Sequence, residues 1–432
     1  MSDESRELAA LRGSVSSFIT LRGHSSFSAL LLALLLTLPA LLLLLRAGFF
    51  VSDDGLFHVY RTAALAEAWQ QGVLWPRLFP DFGFGYGQAV LNFYAPLSYV
   101  PGALLSVLGM NPATAVQVVI AASFLLAAAA AFGYGNYLFG PAGGVLAAVV
   151  YTYTPYHLAD AYLRGAVPEH VAFIFPPLIL WAFTAAFWPG RSSFIVHPSS
   201  FSPALPPLLW GSLAWVGLVL THNLTALLMI PVALLQLLVL AAWTRQWRRL
   251  WGAAGALILA VGLSAVFWLP ALVESRAVGL SVGVSEGYAN HMLTGETLLR
   301  RSLAYFVNPP ETLGPVFPLS WFALGLVALG LALLLMRVVR RQLPENWPPL
   351  AFHLAVAIGA MFMTTAAALF IWRPLTPLLG QFQYPWRFLL LEAVGLMGVA
   401  AALPVLLPQV RPAWVVAAVS LLAVLAALPG LR

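Results

Sequence analysis

The chain has 432 residues, of which 61% are hydrophobic and 8% charged. A soluble domain carries roughly 25% charged residues, so water is not this chain's main solvent and an ordinary soluble enzyme is excluded. The formal net charge of +6 invites a nucleic-acid reading, but the arginines are few and scattered beside apolar runs, where they report membrane orientation and no nucleic-acid partner. There is no cysteine, which excludes disulfides, thiolate metal sites and thiol catalysis.

Apolar runs close to the ~20 residues needed to cross hydrocarbon recur from Ser28 to Leu428. Lipid-exposed backbone must satisfy its own hydrogen bonds within each segment, so the expected fold is all-α and polytopic, and the alternating ten-residue strands of a β-barrel do not occur. Residues 1–27 are polar and contain Arg6, Arg12 and Arg22. They read as a cytoplasmic tail before an uncleaved first anchor, because the following run exceeds a signal-peptide core and no small-residue cleavage site stands out.

In chain order, spans are expected near Ser28–Leu45, Thr114–Leu138, Pro141–Thr154, Val171–Phe187, Leu205–Leu220 and Thr225–Trp243. Downstream they are expected near Gly252–Leu269, Pro318–Met336, Leu350–Trp372, Phe388–Leu407 and Trp414–Leu428, about eleven in all. Pro96–Gly109 is short and contains Pro96, Pro101 and Gly102, and it reads as interfacial or re-entrant. The clusters Arg245/Arg248/Arg249 and Arg337/Arg340/Arg341 abut long apolar runs and belong on the cytoplasmic side. The resulting map is one membrane domain over 28–432, with external loops at 47–113, 155–170 and 271–316 and interfacial helices in the first. Every unusual polar cluster then falls on the external face.

The first such cluster is Asp53-Asp54-Gly55-Leu56-Phe57-His58. Adjacent carboxylates beside a membrane are costly to desolvate, so they are solvated, cation-bound or catalytic; the structural alternative is an N-cap on a helix starting near Gly55. Next come Trp75-Pro76-Arg77 and Phe82-Gly83-Phe84-Gly85-Tyr86-Gly87, then Asn92-Phe93-Tyr94. Here flat rings could cover a sugar, or simply sit at the headgroup level. In Asp160 to His170, Arg164 could clamp a phosphate through two parallel donors, or pair with Glu169 to fix the loop. His222, Glu274, Trp386 and Arg387 can each be read as ordinary helix-end or interface residues. No His-x-x-x-His pair, P-loop or nucleotide fingerprint is present.

Taken in order, Asp54-Gly55-Leu56-Phe57-His58-Val59-Tyr60-Arg61, Trp75-Pro76-Arg77, Gly85-Tyr86-Gly87, Asn92-Phe93-Tyr94-Ala95-Pro96-Leu97, Arg164-Gly165 with Glu169, and Pro385-Trp386-Arg387-Phe388 resemble bacterial membrane proteins labelled "6-pyruvoyl-tetrahydropterin synthase-related". Those proteins are similar in architecture to the GT-C glycosyltransferases, and nothing in the chain resembles a soluble pterin enzyme. The resemblance implies a cell-envelope enzyme of the plasma membrane that moves a sugar from a polyprenyl-phosphate or polyprenyl-diphosphate donor on the external face. It implies Asp53 or Asp54 as catalytic base or metal-binding carboxylate, with Asp160 and Glu169 as a second acidic pair. A divalent cation (Mg or Mn) would then sit on Asp54 and Glu169. Arg164 and Arg387 would meet the lipid phosphate, and His58, Arg61, Tyr86, Asn92, Tyr94, His222, Glu274 and Trp386 would line the substrate. The second loop departs from the family in lacking Asp-x-Asp, and the sequence stops just after the last expected span, without the large external domain many relatives carry. Two other functions fit the same polar face: a flippase for a lipid-linked intermediate, and a non-catalytic subunit of a membrane complex. A flippase would be expected to show internal repeats and midplane charges, which the sequence does not.

Overall fold

The computed structural model describes residues 25–46, 48–188, 205–277, 286–295 and 319–427. Among them the regular structure is helical, and the only β pairings are two isolated bridges. Six helices are long and apolar enough to cross a membrane: α1 (Ser25–Leu45), α4 (Pro112–Phe139), α7 (Val167–Phe187), α9 (Asn223–Thr244), α12 (Trp321–Val339) and α14 (Pro385–Leu406). A bent pair, α10 (Arg249–Leu263) with α11 (Ala265–Glu274), adds a seventh candidate, and four shorter apolar helices are α5 (Pro141–Tyr153), α8 (Leu205–Thr221), α13 (Trp347–Met363) and α15 (Pro412–Ala427). The chain is a multi-pass membrane protein. Each expected run coincides with an apolar helix, but among the described residues only six to seven reach spanning length.

Local chemistry sets the boundaries. Asn111 caps α4, its Oδ1 accepting from the Ala113 N–H at 2.9 Å, and Pro112 takes the first turn, where a missing N–H costs nothing. Ser320 caps α12 through Phe322 in the same way. In the first loop α2 (Gly55–Gln70) and α3 (Val100–Val107) are the expected non-spanning helices, and α3 has only 8 residues.

Two expected spans are broken. Gly252–Leu269 bends by 64° at Ser264. There the Ser264 hydroxyl bonds the Ala260 carbonyl at 2.8 Å, and the Trp268 indole donates to the Val261 carbonyl at 2.8 Å, so side chains take over part of the backbone ladder. Leu350–Trp372 stops at Met363. The Thr364 and Thr365 hydroxyls turn back onto Met361 and Phe362, and the freed backbone pairs with Leu293 in both directions, at 2.9 Å each. The tail at 1–24 and most of the expected 271–316 loop lie outside the described residues.

The core forms where α14 packs on α5, α13 and α4, and where α4 lies along α5. Lipid supplies little hydrophobic drive between helices, so small residues and interhelical hydrogen bonds hold them together. Buried His353 of α13 bonds the Val394 carbonyl of α14 and the Tyr134 hydroxyl of α4, both at 3.0 Å. Gln236 of α9 donates to Leu180 and Thr184 of α7 at 2.8 and 3.0 Å. The His353 ring lies against Gly398, where an added Cβ would come within 2.0 Å of Cγ. Gly398→Ala is therefore expected to destabilise the bundle by about 1–3 kcal/mol. Thermal unfolding in detergent checks this, and a melt equal to the parent's would count against it.

Candidate functional site

The first and second polar loops meet through their backbones. The Asp53 N–H donates to the Leu163 carbonyl at 3.0 Å and that of Asp54 to the Arg164 carbonyl at 2.7 Å. Gly165 makes this approach feasible: its φ is +63°, and an added Cβ would lie 2.4 Å from Ser52 Oγ and 2.7 Å from the Gly55 nitrogen. Gly165→Ala should force the loops apart, costing about 1–3 kcal/mol and lowering any activity of the site. A fully active Gly165→Ala protein would show that the contact does not matter.

The second loop is wound unusually. Helix α6 (Pro155–Ala159) passes into a π-helical turn, Asp160–Arg164, before α7 begins. π turns gather at functional sites; here one aims Arg164 back at its own helix. Arg164 Nη1 donates to Asp160 Oδ1, to the Tyr156 hydroxyl at 2.9 Å and to Glu169 Oε2 at 2.9 Å. Tyr156 in turn donates to Glu169 Oε1 at 2.7 Å, and Arg387, at the start of α14, donates to Glu169 Oε2 at 3.2 Å. Asp160 is fully buried and Glu169 nearly so. Burying charge is tolerable only when it is paired and hydrogen-bonded; two arginines, two carboxylates and a phenol pair here, and only Asp160 Oδ2 and Arg387 Nε of these charged groups find no partner among the described residues.

Beside the network lies a cavity of about 510 Å³ between the first loop, the second loop, the α8–α9 junction and the segment before α14. Asp54, His58, Arg61 and Tyr94 reach it from the first loop, Arg164 and Glu169 from the second, and His222 and Arg387 from the other two. Asp54 occupies the N-cap of α2, yet its side chain makes no capping hydrogen bond and is exposed. Asp54 thus stands where the capping alternative places it, but its carboxylate makes no capping bond. Arg61 lies 4.1 Å over the Tyr94 ring and donates to the Tyr99 hydroxyl at 3.2 Å, and that hydroxyl also bonds His58 Nδ1 at 2.9 Å. Two buried polar atoms at the cavity wall, Arg387 Nε and Thr221 Oγ1, find no partner among the described residues. Such orphans are costly unless a ligand or water satisfies them.

Other expected site residues stand elsewhere. Asp53 holds the loop through its backbone and is absent from the cavity wall, and Asp160 lies behind Arg164. Trp386 is buried, stacked on Tyr384 at 4.2 Å. Tyr86 projects from the loop at 92% exposure and meets no site residue. Asn92 and Glu274 form a separate cluster: Arg77 Nη2 donates to Asn92 Oδ1 at 2.6 Å and to Glu274 Oε1, while Asn92 Nδ2 donates to Glu274 Oε2 at 2.7 Å. That cluster fastens the first loop to the bent helix pair. Tyr99 and Tyr156 belong to the site but carried little sequence signal, since tyrosines in apolar stretches read as interface anchors; Gln383, just before the Trp386 and Arg387 pair, lines the cavity. Gln383 is held at φ +62°, a backbone strain common at functional positions.

Of the two expected cation ligands, Asp54 is exposed and uncommitted but Glu169 does not fit a cation. Both Glu169 oxygens already accept from Tyr156, Arg164 and Arg387, and two guanidiniums beside it would repel a metal. Among the described residues no three of His, Asp and Glu converge as a metal-binding group.

Electrostatics distinguish the first-loop groups. Burial, then the adjacent Asp54 charge, raises the Asp53 carboxyl, against the pull of Arg164. Burial pushes His58 down to about 3 and His222 to about 4, so both imidazoles are neutral near pH 7. Burial likewise lifts Tyr99 to about 12 and keeps its hydroxyl protonated. The His58 shift has a signed consequence. At His58 the unfolded chain takes up a proton near 6.5 and the folded chain only near 3, so this group's contribution to stability is full above about 6.5 and is lost as the pH drops between those values. His58→Gln should flatten that decline; identical acid profiles for the two proteins would contradict it.

No protein-family model matches the chain, and no curated protein matches it either. Among solved structures, the archaeal oligosaccharyltransferase AglB from Archaeoglobus fulgidus, in complex with an inhibitory peptide and a dolichol-phosphate, is similar in overall arrangement. The likeness has a TM-score of 0.49 at 14% identity. It covers 94% of this chain and 55% of that one, so this chain spans about half the length of the oligosaccharyltransferase.

Proposed function

We propose that the protein is a GT-C-type glycosyltransferase that takes a sugar from a polyprenyl-phosphate or polyprenyl-diphosphate donor on the non-cytoplasmic face of the plasma membrane. One observation carries this: the uncapped Asp54 carboxylate shares a cavity with the guanidiniums of Arg61, Arg164 and Arg387, at the mouth of apolar helices. A carboxylate that can accept a proton and cations that can hold a departing phosphate are the two groups glycosyl transfer needs.

Asp54 takes the proton of an acceptor hydroxyl as its oxygen attacks the anomeric carbon. The bond from that carbon to the phosphate oxygen breaks, and the electron pair leaves with the phosphate. Arg164 and Arg387, held by Glu169, meet the developing charge. Tyr99 holds Arg61 and His58 in place along the same wall. The lipid tail lies among the surrounding helices.

The test is purified protein in nanodiscs, incubated with radiolabelled polyprenyl-phosphate and polyprenyl-diphosphate sugars. Release of sugar to an acceptor or to water supports the assignment. Donors that bind without turnover under all conditions would refute it and leave a flippase or a non-catalytic subunit.

A further inference from the structure

A second cavity lies toward the other end of the bundle, between α9 and α13. It measures about 440 Å³, and its walls are formed by apolar side chains, among them Leu235, Val239 and Trp243 from α9 and Trp347, Ala351 and Phe352 from α13. Helix α9 begins at Asn223, beside the Asp54 cavity, and runs for 22 residues. At 1.5 Å per residue its far end is ~30 Å away, so the two cavities are distinct.

The chemistry of that far end is specific. The helix stops at Thr244, and exposed Arg245 and Arg248 follow directly. Nearby Arg249 is committed, donating to the Ala186 carbonyl at the end of α7, and on α12 Arg337 donates to the Leu406 carbonyl at the end of α14. Exposed Arg245 and Arg248 follow Trp243 along the chain and so bring cationic charge to the α9 end of an apolar slot flanked by Trp243 and Trp347, the aromatic type that sits at the headgroup level, while exposed Glu345 precedes Trp347 on the opposite wall. An amphiphile with one anionic head and a flexible apolar tail complements both parts. A guanidinium offers paired donors to phosphoryl oxygens, and basic pockets between membrane helices take anionic headgroups. A zwitterionic head would bring its own ammonium to the same arginines.

We infer that this groove holds an acyl chain of an anionic glycerophospholipid whose phosphate lies against Arg245 and Arg248. The site is independent of the transferase proposal and uses none of its residues. The test returns the full chain to nanodiscs of equal phosphatidylglycerol and phosphatidylcholine, extracts it gently, and counts retained lipids by native mass spectrometry. The wild type is expected to retain phosphatidylglycerol over phosphatidylcholine by about tenfold. Replacing both arginines together, Arg245→Gln with Arg248→Gln, should bring that ratio near one. Ala351→Trp, which fills the groove, should lose both lipids; should it fail to fold, Val239→Phe asks the same from the opposite wall. Arg411→Gln, at the exposed start of α15, should leave the preference intact. The inference is overturned if the wild type retains the two lipids equally or retains neither, as it would if another segment of the chain covered the groove. It is also overturned if the double arginine variant keeps the preference or the filled groove keeps its lipid.

Discussion

In Asp54→Asn, sugar transfer is expected to fall by about 10²–10⁴-fold, the range attributable to a lost general base, while insertion and melting match the parent. The expectation rests on the side chain's isolation. Asp54 caps no backbone N–H and is exposed to the cavity, so the amide keeps its shape and removes only the negative charge. Asp53→Asn is the informative comparison. Asp53 contributes a backbone N–H to Leu163, which the substitution preserves, and its side chain is absent from the cavity wall, so the loss should be far smaller. Initial rates for both variants decide the matter, and equal losses, or an unimpaired Asp54→Asn, would remove Asp54 from the chemistry.

Arg164→Met should cost the fold about 3–5 kcal/mol, the penalty for stranding a buried charge. Among the described residues the guanidinium is the one group that hydrogen-bonds Asp160, Glu169 and the Tyr156 hydroxyl together. Without it Asp160 loses the guanidinium hydrogen-bonded to it and keeps only the more distant pull of Arg387, and among the described residues Glu169 keeps Arg387 alone as a bonded cation. Adding Asp160→Asn to Arg164→Met should recover part of the loss, because a neutral amide is cheaper to bury than an unpaired carboxylate. Tryptophan-monitored melting of the two variants measures both effects. If Arg164→Met melted with the parent, the network would not be the structural centre of the second loop.

Much of this architecture was legible because hydrocarbon imposes so strong a constraint on sequence. Each apolar run became an apolar helix, and Pro96–Gly109 read correctly as too short to span, since composition and length alone decide such segments. What stayed hidden was decided by single side chains. The bend at Ser264 and the stop at Met363 depend on hydroxyls and an indole that satisfy carbonyls the helix abandons, and residue type does not announce that choice. The site divides in the same way. Asp54, His58, Arg61, Tyr94, Arg164, Glu169, His222 and Arg387 meet at one cavity, as charged and polar groups flanking spans were expected to. Asn92, Glu274, Tyr86 and Trp386 stand outside the wall of that cavity, because where a loop folds back depends on contacts such as that of Arg77 with Glu274, far off in sequence. Tyr99 and Tyr156 show the converse: a phenol in an apolar stretch acquires meaning only from the arginine it faces.

Glu169 and Arg387 are separated by 218 positions along the chain. As ribosomes deliver this protein from its amino end, the early loops enter the lipid long before the segment carrying Arg387 exists. Until then Glu169 has a single guanidinium for company, and the cavity lacks a wall. The pocket is thus among the last things biosynthesis completes, and a chain arrested two-thirds of the way through would hold the Asp54 carboxylate without the full cradle for a phosphate.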